Sequence, residues 1–122
     1  MSRRRTVSVR RVYEGPQEDG YRALVDRLWP RGMTRTPDLF DGWAKDAAPS
    51  TELRRWYGHD PAKYAEFARR YRSELHQPPA SEAVARLASV ADRQALVLLT
   101  ATRDVEHSGA HVLAAVLQRI QR

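Results

Sequence analysis

At 122 residues the chain fits a single domain, long enough to bury a core without metal or disulfide staples. Its 42% hydrophobic content is that of an ordinary globular protein, and it has no cysteine, which excludes disulfides, thiolate nucleophiles, cysteine-ligated zinc and iron–sulfur clusters. Twenty-one basic against 15 acidic side chains leave a net charge of +6, a balance that attracts anionic metabolites or polyanions.

The first segment, Met1-Ser2-Arg3-Arg4-Arg5, carries charge without the apolar stretch of a signal peptide. Thr6 to Tyr13 alternates and is rich in β-branched residues, which predicts a strand ended by Glu14-Gly15-Pro16. Arg22 to Leu28 is a second predicted strand, centred on Leu24-Val25 and stopped by Pro30 and Gly32. Met33 to Asp38 reads as a polar loop. Leu39 to Ala47 is ambiguous: Leu39, Phe40 and Trp43 suit a helical face, whereas Trp43 to Ala47 suits a short strand. Ser50 or Thr51 can cap a short helix through Trp56, closed by Gly58.

Asp60-Pro61 is a helix start, and Tyr64, Phe67, Tyr71 and Leu75 form an apolar stripe behind it. Glu66–Arg70 and Arg70–Glu74 are spaced to pair on the opposite face. Pro78-Pro79 stops this helix, and Ser81 is the expected cap of the next, with Val84, Leu87 and Ala91 inward. Ala95 to Ala101 is a continuous apolar run, the pattern of a central strand buried on both faces, and too short to cross a bilayer. A last helix, expected from Asp104, turns Leu113, Val116, Leu117 and Ile120 inward. Strands near both ends with helices between them predict a single α/β domain, with a small, open, mainly parallel sheet and helices on both faces. The expected setting is cytoplasmic, away from membranes.

In open α/β sheets ligands bind beyond the carboxyl ends of the strands. Three polar segments fall there: Asp26, Arg27 and Arg31 around Trp29-Pro30; Lys45-Asp46; and Thr102-Arg103-Asp104. Strand alternation would send Asp26 and Leu28 to one face, and Val25 and Arg27 to the other. A strand feeding a helix presents free N–H groups to an anion, and Arg103 adds a forked donor. The plain alternative is that Asp104 caps the helix and pairs with Arg103. On a helix starting at Asp104, the side chains of Asp104, His107 and His111 would share a sector of about 60°. A fourth metal ligand is not evident, so no metal site and no cofactor are assigned. His59-Asp60 reads first as turn and cap, with His59 an alternative acid or base. Trp29, Trp43 and Trp56 lie near basic residues, as base-stacking residues do, but large aromatics at such spacing are more often core. The chain has no Walker phosphate loop, dinucleotide-binding glycine fingerprint or nucleophile elbow.

The strings LVDRLWPRG (24–32), WAKDAAPS (43–50), LRRWYGHDP (53–61), FARRYRSEL (67–75) and LLTATRDVEHSGA (98–110) closely resemble the YeaO-like family, domain of unknown function 488. The resemblance runs from about Val9 to Leu117. It implies a compact bacterial α/β domain and supplies no reaction. The family's hallmark positions fall here on Asp26, Arg27, Trp29, Pro30, Arg31, Gly32, Lys45, Asp46, Pro49, Ser50, Trp56, His59, Asp60, Asp104 and His107. One departure is Ser108, where the family pattern has asparagine after the histidine.

Together these readings predict a site for a small anionic molecule at the strand carboxyl ends. Arg27, Arg31, Arg103 and Lys45 would hold the anion, with Asp104 and Trp29 beside them. Asp26, Asp46 and His107 would be the acid–base groups if the site is catalytic. The alternative is a nucleic-acid-binding or regulatory module that uses the arginine-rich surface and exposed tryptophans. A third reading makes the 26–32 segment structural, with Asp26 and Arg31 paired to lock the loop.

Overall fold

The computed structural model describes residues 5–14, 20–34 and 40–119. Within them run four strands, β1 (Val7–Arg11), β2 (Tyr21–Leu24), β3 (Gly42–Trp43) and β4 (Leu96–Thr100). Three helices, α1 (Thr51–Tyr57), α2 (Tyr64–Glu74) and α3 (Ala80–Ala91), lie between β3 and β4, and a fourth, α4 (Gly109–Arg119), follows β4. All strand pairings are parallel, in the order β1-β4-β2-β3. The α/β class and the parallel sheet expected from the pattern are therefore present.

β4 is buried along its whole length because it lies between β1 and β2. Leu96 is in register with Val7 and Tyr21, and Leu98 with Val9 and Ala23. These residues turn to one face, where they meet Leu53, Tyr57, Phe67, Tyr71, Leu87 and Leu113 from the helices. Val97, Leu99 and Leu24 turn to the other face and are covered by Trp29, Met33, Phe40 and Trp43. The layering thus differs from the expected helices on both faces. Every buried residue assigned to α1–α4 belongs to the first face, and the second is covered, among the described residues, by Trp29, Met33 and Phe40 from the loops and Trp43 from β3. The rings of Phe40 and Trp43 meet Trp29 edge-on at 5.3 and 5.5 Å. An amphipathic stripe records that a helix has a buried side, but not which sheet face receives it.

The ends of the elements set up the site. The second strand stops at Leu24, short of the expected Leu28. Val25 N still donates to Leu99 O (3.0 Å), but beyond it the carboxylate of Asp26 replaces the ladder. Alternation therefore does not extend to Leu28. The ambiguous 39–47 segment resolves into β3 and a 3-10 turn at Lys45–Ala47, with Leu39 outside the described residues. Ser50 caps α1, its Oγ accepting from Leu53 N at 3.1 Å, and Gly58 closes it in the left-handed region at φ 55°.

Asp60-Pro61 opens a 3-10 turn that runs into α2. The Glu66–Arg70 pair forms, but Glu74 instead accepts from Ser50 N (2.9 Å) and Ser50 Oγ (2.5 Å), clamping α2 to the start of α1. Ser81 lies inside the first turn of α3 and does not cap it. The last helix begins at Gly109, not Asp104. A 3-10 turn at Val105–His107 and an extended Ser108 (φ −97°, ψ 160°) intervene, and Ser108 Oγ accepts from His111 N at 3.1 Å. That break removes the continuous helix needed to align Asp104, His107 and His111. Ile120 lies outside the described residues.

Candidate functional site

Asp26 leaves β2 at the carboxyl end of the sheet and ties it to β4. Its Oδ1 accepts from Thr100 Oγ1 and its Oδ2 from Ala101 N, both at 2.7 Å. Burial raises the carboxyl pKa above its ordinary value, against the lowering effects of the Ala101 amide, the Thr100 hydroxyl and the positive fields of Arg54 and His59. Trp43 Nε1 donates to the Asp26 carbonyl at 2.7 Å, which fixes the same turn from the second face. Arg27 bends the other way. Its Nε donates to Pro49 O (3.0 Å) and a terminal nitrogen to Ala48 O (3.2 Å), so the guanidinium satisfies two carbonyls of a buried turn.

Beside these two residues lies a cavity of about 650 Å³. Its floor includes Val25, Tyr57 and Phe67, the last two stacked with ring centroids 4.1 Å apart. The polar lining holds Arg31, Arg54, Arg103 and His59. Among the described residues, the guanidinium groups of Arg31, Arg54 and Arg103 make no hydrogen bond or ion pair. His59 stands in the left-handed region at φ 58°, directly after Gly58. A non-glycine residue there costs roughly 1–3 kcal/mol, a strain that clusters at functional sites.

Gly109 and Ala110, the first two residues of α4, complete the wall. Their amides have no hydrogen-bond partner among the described residues. Gly109 lets α4 begin against Pro49, where an added Cβ would come within 3.1 Å of the proline ring. The cavity thus gathers three unspent guanidinium forks, two free amides and the positive end of an 11-residue helix. Its carboxylates are Asp26, already accepting two bonds, and Asp104, whose Oδ2 meets His107 Nδ1 at 2.8 Å.

A family model described as the inactive DUF488-N3 subclade matches residues 6–121. The chain belongs to that family. An uncharacterized protein of Mycobacterium tuberculosis (strain H37Rv) is 47% identical over 118 residues, 96% of this chain and 98% of the relative. The uncharacterized protein YeaO of Escherichia coli K12 is 41% identical over 115 residues, covering 93% of this chain and 98% of YeaO. No solved structure matches the chain.

Within this DUF488 chain the predicted site residues divide. Asp26, Arg27, Trp29, Arg31, Arg103 and Asp104 line the one cavity. Lys45 and Asp46 do not: they line a smaller depression beside β3 and α3, with Arg86 and Val90. The cause is local. Ala47 and Ala48 are buried, so the 3-10 turn at Lys45–Ala47 leaves Lys45 and Asp46 exposed, and Lys45 Nζ settles over the Trp43 ring at 5.0 Å. The three-walled site expected from sequence therefore has two of its walls in common.

His107 is absent from the lining as well. Its ring packs edge-on against Tyr64 at 5.0 Å, and its carbonyl accepts from Tyr57 Oη at 2.6 Å. Asp26 and Arg31 do not pair; Asp26 is held by β4. Arg103 and Asp104 form no ion pair with each other, and Asp104 makes no side-chain cap. Among the arginines of the lining, Arg54 is the one that sequence reasoning missed. It sits in the polar half of a short amphipathic helix, where an arginine carries no distinguishing pattern. Among the described residues no cluster of three or more metal-ligating side chains forms, and no helix is long and apolar enough to cross a membrane.

Proposed function

We propose that this protein binds a small anionic ligand in the cavity at the carboxyl ends of β2 and β4, without turning it over. The observation that carries this reading is the set of three arginines around one cavity, Arg31, Arg54 and Arg103, whose guanidinium groups make no hydrogen bond or ion pair among the described residues, although the field of Arg54 reaches Asp26. Unpaired charge is ordinarily spent on solvent, but three arginines lining one cavity sum their fields over a single volume. Gly109 and Ala110, which also line the cavity, have amides without a hydrogen-bond partner among the described residues and add uncharged donors. Binding without turnover is supported by two further points. Of Asp26, Asp46 and His107, Asp26 alone lines the cavity, beside His59, and both Asp26 oxygens already accept bonds. The matched family model is also described as inactive.

The nucleic-acid alternative draws less support, because the tryptophans are engaged. Trp29 Nε1 donates to Met33 O and Trp43 Nε1 to Asp26 O, both at 2.7 Å, while Arg70 covers Trp56 at 4.2 Å. A calorimetric titration with inorganic phosphate tests the reading. Binding is expected in the folded protein and should weaken roughly tenfold or more in Arg54→Gln and in Arg103→Gln, the scale of one lost charge-assisted hydrogen bond. Equal phosphate affinity in all three proteins would refute it.

A further inference from the structure

From the remainder of the cavity lining we infer that the ligand is a nucleoside monophosphate, an assignment that rests on the anion-binding reading above. At about 650 Å³ the cavity falls within the roughly 300–1,000 Å³ of small-molecule sites and leaves much of its volume empty around a lone phosphate. The rest of the lining has its own chemistry.

Tyr13 and Leu28 are the two exposed large hydrophobic residues among the described residues, 45% and 60% accessible, and both line this cavity. Tyr13 is held in place, its Oη donating to Arg31 O at 2.9 Å and Arg11 lying over its ring at 5.0 Å. An aromatic ring and a branched apolar side chain, both wet in the free protein, form a surface on which a flat heterocycle stacks. That surface adjoins Arg31, so the apolar and cationic parts of the lining meet.

Asp104 supplies the third component. A carboxylate repels an anion, so its presence in a cationic cavity needs a reason. It uses Oδ2 on His107 Nδ1, and its Oδ1 makes no hydrogen bond among the described residues. A carboxylate oxygen of this kind accepts from sugar hydroxyls, as the acidic residue of dinucleotide folds accepts from ribose. Guanidinium groups and free amides for a phosphate, a carboxylate for a ribose diol, and an apolar rim for a base match the parts of one nucleotide. Inorganic phosphate would leave the last two unused.

The test compares inorganic phosphate, ribose 5-phosphate, adenosine, the four common nucleoside monophosphates and a 5′-phosphorylated hexanucleotide, by direct or competition titration against the whole protein. At least one nucleoside monophosphate is expected to bind roughly tenfold more tightly than ribose 5-phosphate, a stacking-sized gain. Leu28→Ser should erase most of that gain while phosphate affinity stays unchanged, and Tyr13→Phe, which keeps the ring, should retain the gain. Asp104→Ala should remove the preference for the ribonucleotide over its 2′,3′-dideoxy form.

Equal affinities for phosphate, ribose 5-phosphate and every nucleotide would overturn this inference and leave the anion reading standing. No binding by any phosphate compound would overturn both. Adenosine binding as tightly as its monophosphate would likewise contradict both. A hexanucleotide that binds far more tightly than every mononucleotide would replace the inference with recognition of a nucleic-acid end.

Discussion

Asp26 and Arg27 line the same cavity as Arg31, Arg54 and Arg103, yet their charges serve different ends. The first two are committed within the fold. Asp26 accepts the first amide beyond β4 and the Thr100 hydroxyl, and Arg27 satisfies the carbonyls of Ala48 and Pro49. The other three guanidinium groups have no bond to the protein among the described residues. A charged residue at a strand end is therefore not by itself a ligand contact. Whether its hydrogen-bonding capacity is already used decides which kind it is.

Substitutions break this comparison in opposite directions. Asp26→Ala should have the largest effect, because it strips the acceptor from both Thr100 Oγ1 and Ala101 N in a half-buried site. A stability loss of about 3 kcal/mol is expected in urea unfolding, since each orphaned group costs about 1–3 kcal/mol. Arg27→Ala should follow at about 1.5–3 kcal/mol by the same measurement, the range for bonds to a charged group. Arg27→Lys should recover only part of that loss, because an ammonium cannot reproduce the planar fork.

A smaller effect separates Asp26 from an exposed carboxylate. Burial raises the Asp26 pKa, so its contribution is fullest at pH values below the ordinary aspartate range and declines as pH rises through the raised value. Asp41 is the opposite case: hydrogen bonds from Arg22, its backbone N–H foremost, lower its pKa. Its contribution is present above the ordinary range and is lost as pH falls. The stability difference between wild type and Asp26→Asn should therefore shrink with rising pH, while that between wild type and Asp41→Asn should grow. Parallel slopes in unfolding titrations would show that the two carboxylates are not in different environments. The least effect on stability belongs to Arg31→Gln and Arg103→Gln, each expected within about 0.5 kcal/mol of wild type, as for exposed residues without partners.

Much of this architecture was legible because the deciding signals were local. The run from Ala95 to Ala101 reads as a buried central strand since a strand flanked on both sides must be apolar on both faces. Ser50, Gly58 and Asp60-Pro61 mark element ends through backbone chemistry that needs no tertiary information. What escaped depends on distant partners. Asp26 ends β2 early because Thr100 and Ala101, 74 and 75 residues away, supply its donors. Glu74 abandons its helical partner Arg70 for Ser50 in another helix.

The site was half legible for the same reason. Carboxyl-end placement brought Asp26, Arg27, Arg31 and Arg103 together, but burial of Ala47 and Ala48 turned Lys45 and Asp46 toward another depression. Arg54 was hidden because helix amphipathicity distinguishes inside from outside and does not separate one exposed arginine from the next. The start of α4 was misplaced by five residues, from Asp104 to Gly109. A 3-10 turn followed by a serine cap mimics, in sequence, the first turn of a helix.

The central claim is that the unspent arginines and the first amides of α4 form one anion receptor. Heteronuclear NMR on the isotopically labelled protein tests it most directly, by following the Gly109 and Ala110 amide resonances during a titration with inorganic phosphate. Saturable shifts of both amides, reduced in the Arg31→Gln, Arg54→Gln, Arg103→Gln triple variant while its fold is retained, are the predicted result. Shifts spread evenly over the basic surface, with Gly109 and Ala110 unmoved, would contradict it.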